Sequence, residues 1–78
     1  MVTPEQLRSY IEKGLPCLEV RVAGDGQHFE AHVVSEAFRG KSRIQRHQLV
    51  YAALGERMRE EIHALSMRTL TPEEAADG

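Results

Sequence analysis

Histidine is the side chain of this 78-residue chain best suited to chemistry. There are four, His28, His32, His47 and His63, against a single cysteine, Cys17. A neutral imidazole binds metals and moves protons near neutral pH. Spacing gives the four different prospects. His28 borders the turn Gly24-Asp25-Gly26-Gln27 and is expected in solvent. His32 lies on the same side of the same segment and is expected on the solvent side of a strand. His47 falls on or near the apolar stripe of a helical segment, where a core-edge, hydrogen-bonded ring is the ordinary role. His63 follows a helical turn and precedes a strand. An imidazole there either interacts with the helix C-terminus or faces a metal or a partner, and spacing alone favours the first.

Cys17 follows Pro16 and has no neighbouring cation to lower its pKa, so it reads as a small buried hydrophobe. One cysteine allows neither an intramolecular disulfide nor a cysteine-rich zinc site. No nucleophile–base–acid set, phosphate loop or pair of catalytic carboxylates is present, and no enzyme is expected.

The second candidate site is a patch of charge. From Ala37 to Gly55 there are four cations, Arg39, Lys41, Arg43 and Arg46, and no acid, whereas each flank carries three cations and six acids. The net charge of −2 therefore hides a basic centre between acidic arms. Gly40 and Ser42 sit within this patch, and Ser42 is a suitable cap for a helix whose N–H groups would favour an anion. A solvated surface is the plainer reading. A glycine loop that clamps single-stranded backbone needs a Gly-x-x-Gly pattern, and Gly40 has no second glycine three residues away. Aromatic residues for base stacking are few.

The elements that must hold these residues are legible from period and punctuation. Thr3-Pro4-Glu5-Gln6 is a capped helix start, with Leu7, Tyr10 and Ile11 on one face and a stop at Gly14 and Pro16. Cys17 to Ala23 alternates, with Leu18, Val20 and Val22 facing inward. His28 to Ser35 alternates through Phe29, Ala31 and Val33, and the glycine-rich turn between the two runs predicts an antiparallel hairpin. Ile44, His47, Val50 or Tyr51, Leu54 and Met58 form a helical stripe, which Gly55 bends or splits. Ala64 to Leu70 is a third strand. Thr71-Pro72-Glu73-Glu74 repeats the logic of the first helix start and can open a last short helix, and Ala75 to Gly78 is expected to fray. The order α-β-β-α-α-β predicts an α+β fold with helices covering one face of a three-stranded sheet, its third strand reached by a crossover that permits parallel pairing. One domain of 78 residues is expected, with 72–78 a short turn and tail.

With 41% hydrophobic and 28% charged residues the chain is globular rather than disordered. A domain this small buries only roughly 60% of its unfolded surface, so its core is thin. No apolar run approaches the ~20 residues that span a bilayer. Met1 to Glu5 lacks the basic and apolar regions of a secretory leader, and a cytoplasmic location is expected.

Several segments taken together carry a family resemblance. Val33-Val34-Ser35, Phe38-x-Gly40, Ser42-Arg43, Arg46-His47-x-x-Val50-Tyr51, Ile62-His63-Ala64-Leu65 and Thr69-Leu70-Thr71-Pro72-x-Glu74 resemble the BolA family. The turn Gly24-Asp25-Gly26-x-His28-Phe29 is similar to its IbaG branch. The resemblance implies a class II KH-like layout. It further implies a monothiol glutaredoxin partner with a Cys-Gly-Phe-Ser motif. In such a pair a [2Fe–2S] cluster is held by the glutaredoxin cysteine and glutathione on one side. On the other side are a histidine matching His63 and a Cys or His from the first hairpin turn. This turn has no cysteine, and His28, at its end, is the conventional ligand it offers. The chain would be a monomer or homodimer alone and a heterodimer with glutaredoxin. The resemblance implies DNA binding as the alternative role, mapping onto Arg39, Gly40, Lys41, Ser42, Arg43 and Arg46.

Overall fold

The structure, a computed structural model, describes residues 2–77. The first helix, α1 (Pro4–Gly14), begins at a complete capping box. The Gln6 N–H donates to the Thr3 hydroxyl at 3.1 Å and the Thr3 N–H donates to Gln6 Oε1 at 2.9 Å. Leu7 and Ile11, four residues apart, are its buried positions. Its last residue, Gly14, is a glycine for a packing reason. A side-chain carbon there would fall 2.7 Å from Ala53 Cα, so a glycine lets α1 approach the next long helix at backbone distance.

Three strands follow: β1 (Glu19–Gly24), β2 (His28–Val34) and β3 (Ala64–Leu70). They lie in the order β1-β2-β3, with β1 antiparallel and β3 parallel to β2. The fold is therefore α+β with a three-stranded mixed sheet. Val20, Phe29, Ala31 and Val33 form the buried face of the sheet, covered by α1 and by α2 (Arg43–Leu54) through Val50 and Leu54. Burying each of the larger side chains stabilises the fold by about 1.5–3 kcal/mol, the principal favourable term in so small a domain.

The stripe of α2 differs from the expected one. Ile44 is 71% exposed and Tyr51 is also exposed, while Val50 takes the buried position. Burial begins only at Arg46 and His47, because the first turn of α2 projects beyond the sheet-facing residues. Leu18, expected inward, is 70% exposed. It precedes the first rung of an edge strand, Glu19↔Val34, and inward alternation starts at Val20. Gly55 does split the helical run. With φ at +60° it closes α2, and a separate turn of helix, α3 (Arg57–Glu60), follows.

One feature was not legible as such, and another reaches further than expected. Ser35, fully buried, ends β2 and starts a 3₁₀ turn over Glu36–Phe38. Its hydroxyl accepts from the Ala37 N–H at 3.0 Å and donates to the Pro16 carbonyl at 2.5 Å. The turn drives Phe38 into the core. The short last helix that Thr71-Pro72-Glu73-Glu74 can open is present as α4 (Pro72–Asp77), and it runs on through Ala75–Asp77, expected to fray, with Gly78 outside the described residues. A capping box of the same kind stabilises it, Thr71 N–H to Glu74 Oε1 at 2.9 Å and Glu74 N–H to the Thr71 hydroxyl at 3.2 Å. No described helix is long and apolar enough to cross a membrane.

Candidate functional site

The hairpin turn places His28 with little backbone freedom. The Asp25 carboxylate accepts from the Gln27 and His28 N–H groups, both at 2.9 Å, and the Asp25 N–H donates to the His28 carbonyl at 3.2 Å. These backbone donors, His28's first, lower the Asp25 pKa. Gly26 takes the positive φ of +95° that the turn requires. Gly24 leaves room for the closure, since a side-chain carbon there would lie 2.4 Å from the His28 carbonyl oxygen.

The parallel register then decides which histidines share an end of the sheet. His28 pairs with Ala64, so His63 stands one residue before the rung that carries His28. Buried Ile62 anchors the chain just ahead of it. His28 and His63 are both exposed, at the start of β2 and the start of β3. His32 lies further up the sheet, on the rung Arg21↔His32↔Arg68. Cys17 is at the far end of β1, near the Leu18–Val34 hydrogen bond. Its thiol donates to the Leu15 carbonyl at 3.2 Å, and burial followed by Glu12 pushes its pKa up, against any thiolate role. Among the described residues no three metal-binding side chains converge. What the register does bring to one end of the sheet is two exposed imidazoles, His28 and His63. His47 departs from expectation in one respect: its Nε2 is buried and has no hydrogen-bond partner among the described residues.

The basic centre divides into two kinds of cation. Arg46 is internal, its side chain only 13% exposed. Its Nε donates to the Lys41 carbonyl at 2.9 Å and its Nη1 to the Thr69 carbonyl at 3.1 Å. The guanidinium pairs with Glu74 at 2.7 Å and lies 5.9 Å from the centre of the Phe38 ring. Arg39 is more exposed but doubly paired, to Glu36 at 2.8 Å and Glu73 at 2.6 Å. Those bonds raise the Arg39 pKa and lower that of Glu73. Lys41 and Arg43 have no acidic partner among the described residues. Gly40 supplies the turn between them and the 3₁₀ segment, with φ at +75°. The Ser42 hydroxyl is occupied as the α2 cap, accepting from the Gln45 N–H at 3.2 Å.

Arg68 was missed from sequence. It joins Lys41 and Arg43 along a groove of about 540 Å³ beside Thr69 and Leu70. Alternation in β3 puts Arg68 on the solvent face, but the signal that would have found it, the placement of β3 beside the start of α2, is tertiary.

A family model described as BolA-like protein matches residues 8–74. The chain is 40% identical over 72 residues to the acid stress protein IbaG of Escherichia coli K12, covering 91% of this chain and 86% of that protein. It is 41% identical over 51 residues to the DNA-binding transcriptional regulator BolA of Haemophilus influenzae, covering 65% of this chain and 50% of that one. Among solved structures, a BolA protein homologue from Coxiella burnetii superposes with a TM-score of 0.86 at 48% identity, over 97% of this chain and 99% of the other.

The two kinds of cation should separate in stability measurements. Arg46→Ala removes hydrogen bonds from two carbonyls and leaves Glu74 unpaired, and should destabilise the fold by about 2–4 kcal/mol in urea unfolding. Arg43→Ala should stay within about 0.5 kcal/mol of wild type. The Arg46–Glu74 pair also carries a pH signature. Arg46, and after it the Thr71 N–H, hold the Glu74 carboxyl at about 2 against an ordinary 4.5. A carboxyl with a lowered folded-state pKa stabilises fully above its unfolded value and loses that contribution as pH falls toward the folded one. The stability difference between wild type and Glu74→Gln should therefore be constant above about pH 4.5 and shrink progressively toward pH 2, as read by denaturant midpoints across that range.

Proposed function

The chain belongs to the BolA-like family, and on that premise we propose that it is a non-catalytic partner of a monothiol glutaredoxin, holding one side of a shared [2Fe–2S] cluster through His63 and His28. The observation that carries this reading is the His28↔Ala64 rung, which brings two exposed imidazoles to one end of the sheet. The donor set suits the group. It is incomplete within the chain, as a shared site requires, and the missing ligands are the thiolates of the glutaredoxin and of glutathione. When bound, such a cluster supplies electron-transfer and cluster-transfer chemistry. Imidazole in place of thiolate leaves it less negative and shifts its potential upward by on the order of a few hundred mV. The chain's own residues do the positioning: Asp25 fixes the backbone of His28, and Ile62 and the first β3 rung hold His63 between them. A cytoplasmic role in iron or acid-stress regulation follows from the same reading, and the name of the Escherichia coli relative supports it.

Co-expression with a Cys-Gly-Phe-Ser glutaredoxin tests the proposal. The purified pair should be coloured, with visible absorption of a [2Fe–2S] cluster. His63→Ala should abolish or strongly alter that spectrum, and His28→Ala should alter it, while both chains remain folded by circular dichroism. A colourless pair, or a coloured one indifferent to His63→Ala, sinks the reading.

A DNA-binding regulator is the second reading. It is favoured by the absence of acidic partners at Lys41 and Arg43, and by the name of the Haemophilus influenzae relative. With Arg39 and Arg46 engaged internally, few phosphates can be neutralised. The log–log dependence of affinity on salt should then have a slope of only on the order of −2 to −3. Gel shifts should be lost in Lys41→Ala/Arg43→Ala, and a steep salt dependence indifferent to those changes would count against this surface. Substituting Arg46 does not test it, because that change removes structure as well as charge.

A further inference from the structure

We propose that the open edge of β3, together with the basic groove at its C-terminal end, docks an acidic, extended segment of a partner protein by strand addition. The sheet order leaves one side of β3 without a neighbouring strand. In a parallel ladder, successive residues direct their backbone groups to alternate sides. The Leu70 carbonyl accepts from the Ser35 N–H on the β2 side at 2.9 Å, and the Thr69 carbonyl accepts from Arg46 on the other. By that alternation Leu65 and Met67 present their backbone groups to the open edge, where no described residue pairs with them. Proteins ordinarily blunt or cover such an edge. Here the Thr69 carbonyl is closed by Arg46.

Charge selects the occupant. Lys41, Arg43 and Arg68 line the groove and have no acidic partner among the described residues. The two acids in the same groove are Glu74, which is paired with Arg46, and Asp77. Three uncompensated cations against one carboxylate favour an acidic segment. Backbone groups along β3 favour one that is extended and seven or so residues long, the length of the strand it would join. Nucleic acid fits less well. Single-stranded nucleic acid gains about 1–3 kcal/mol per base from aromatic stacking, and no aromatic residue lines the groove. Phe29 and Phe38 are fully buried, and the Tyr10 ring lies under Arg57 at 4.1 Å. The proposal does not require a cluster at His63: its charge selection rests on the groove at the far end of β3, while the docked backbone runs along the strand between the two ends.

The test uses the full chain, labelled for amide NMR, with three probes: an acetylated seven-residue peptide alternating Glu and Val, its Lys–Val counterpart, and oligothymidylate. The Glu–Val peptide should shift Lys41, Arg43 and Arg68 and slow hydrogen exchange at Leu65 and Met67. The double variant Arg43→Glu/Arg68→Glu, both on the surface, should weaken it at least about tenfold at low salt. Equal binding of the Lys–Val peptide would overturn the proposal, as would no binding of the Glu–Val peptide at millimolar concentration. So would shifts at the three cations without protection at Leu65 and Met67. Oligothymidylate occupying the groove in place of the peptide would assign it to nucleic acid instead.

Discussion

The guanidinium of Arg46 is the interaction on which the arrangement of this small domain depends. A half-exposed cation would gain little from a single carboxylate. Arg46 is mostly enclosed, and an enclosed guanidinium requires partners for its donors or it destabilises the fold. It finds them in three places: the Lys41 carbonyl before α2, the Thr69 carbonyl on the edge of β3, and Glu74 of α4. One side chain therefore fixes how α2 sits against β3 and where the chain goes after β3. The capping box at Thr71 orients Glu74 from its own side, so helix start and ion pair reinforce each other.

This clasp sits at one end of β3 and the two exposed histidines, His28 and His63, at the other. The ladder from His28↔Ala64 to Val34↔Leu70 is six steps, about 20 Å at the usual rise. The two candidate surfaces are thus separate in space though joined by one strand. Each is also built differently. The histidine end depends on backbone devices: a carboxylate that accepts two N–H groups, a positive-φ glycine, and a glycine without room for a side chain. The basic end depends on charged side chains that compete for partners.

How much of this was readable in advance follows the same division. Local signals were legible because they act over three or four residues. The capping box at Thr3, the cap at Ser42, the Gly24–Gln27 turn, the strand at Ala64–Leu70 and the break at Gly55 all belong to this class. Leu18 and Ile44 were misassigned because period says which residues share a face and not how far the opposing surface extends. The tail at Ala75–Asp77 looked free because its stabilisation comes from Arg39 and Arg46, more than 25 residues away. For His28 and His63 the residues were visible, and their adjacency required the register between strands separated by two helices.

The basic centre illustrates why charge along a sequence is a poor guide to charge on a surface. Four cations with no acid among them suggest a polyanion site. Folding brings Glu36, Glu73 and Glu74 back onto Arg39 and Arg46, neutralising half the patch, and adds Arg68 from another strand. The cations that remain are not the run read along the chain but a triangle across its edge. Paired guanidiniums hold the domain together, and attraction for an outside partner belongs to the charges left over. What those charges can recognise is then set by their neighbours. Here the neighbours are a strand edge with unpaired backbone groups and no aromatic surface, a setting that suits a peptide better than stacked bases.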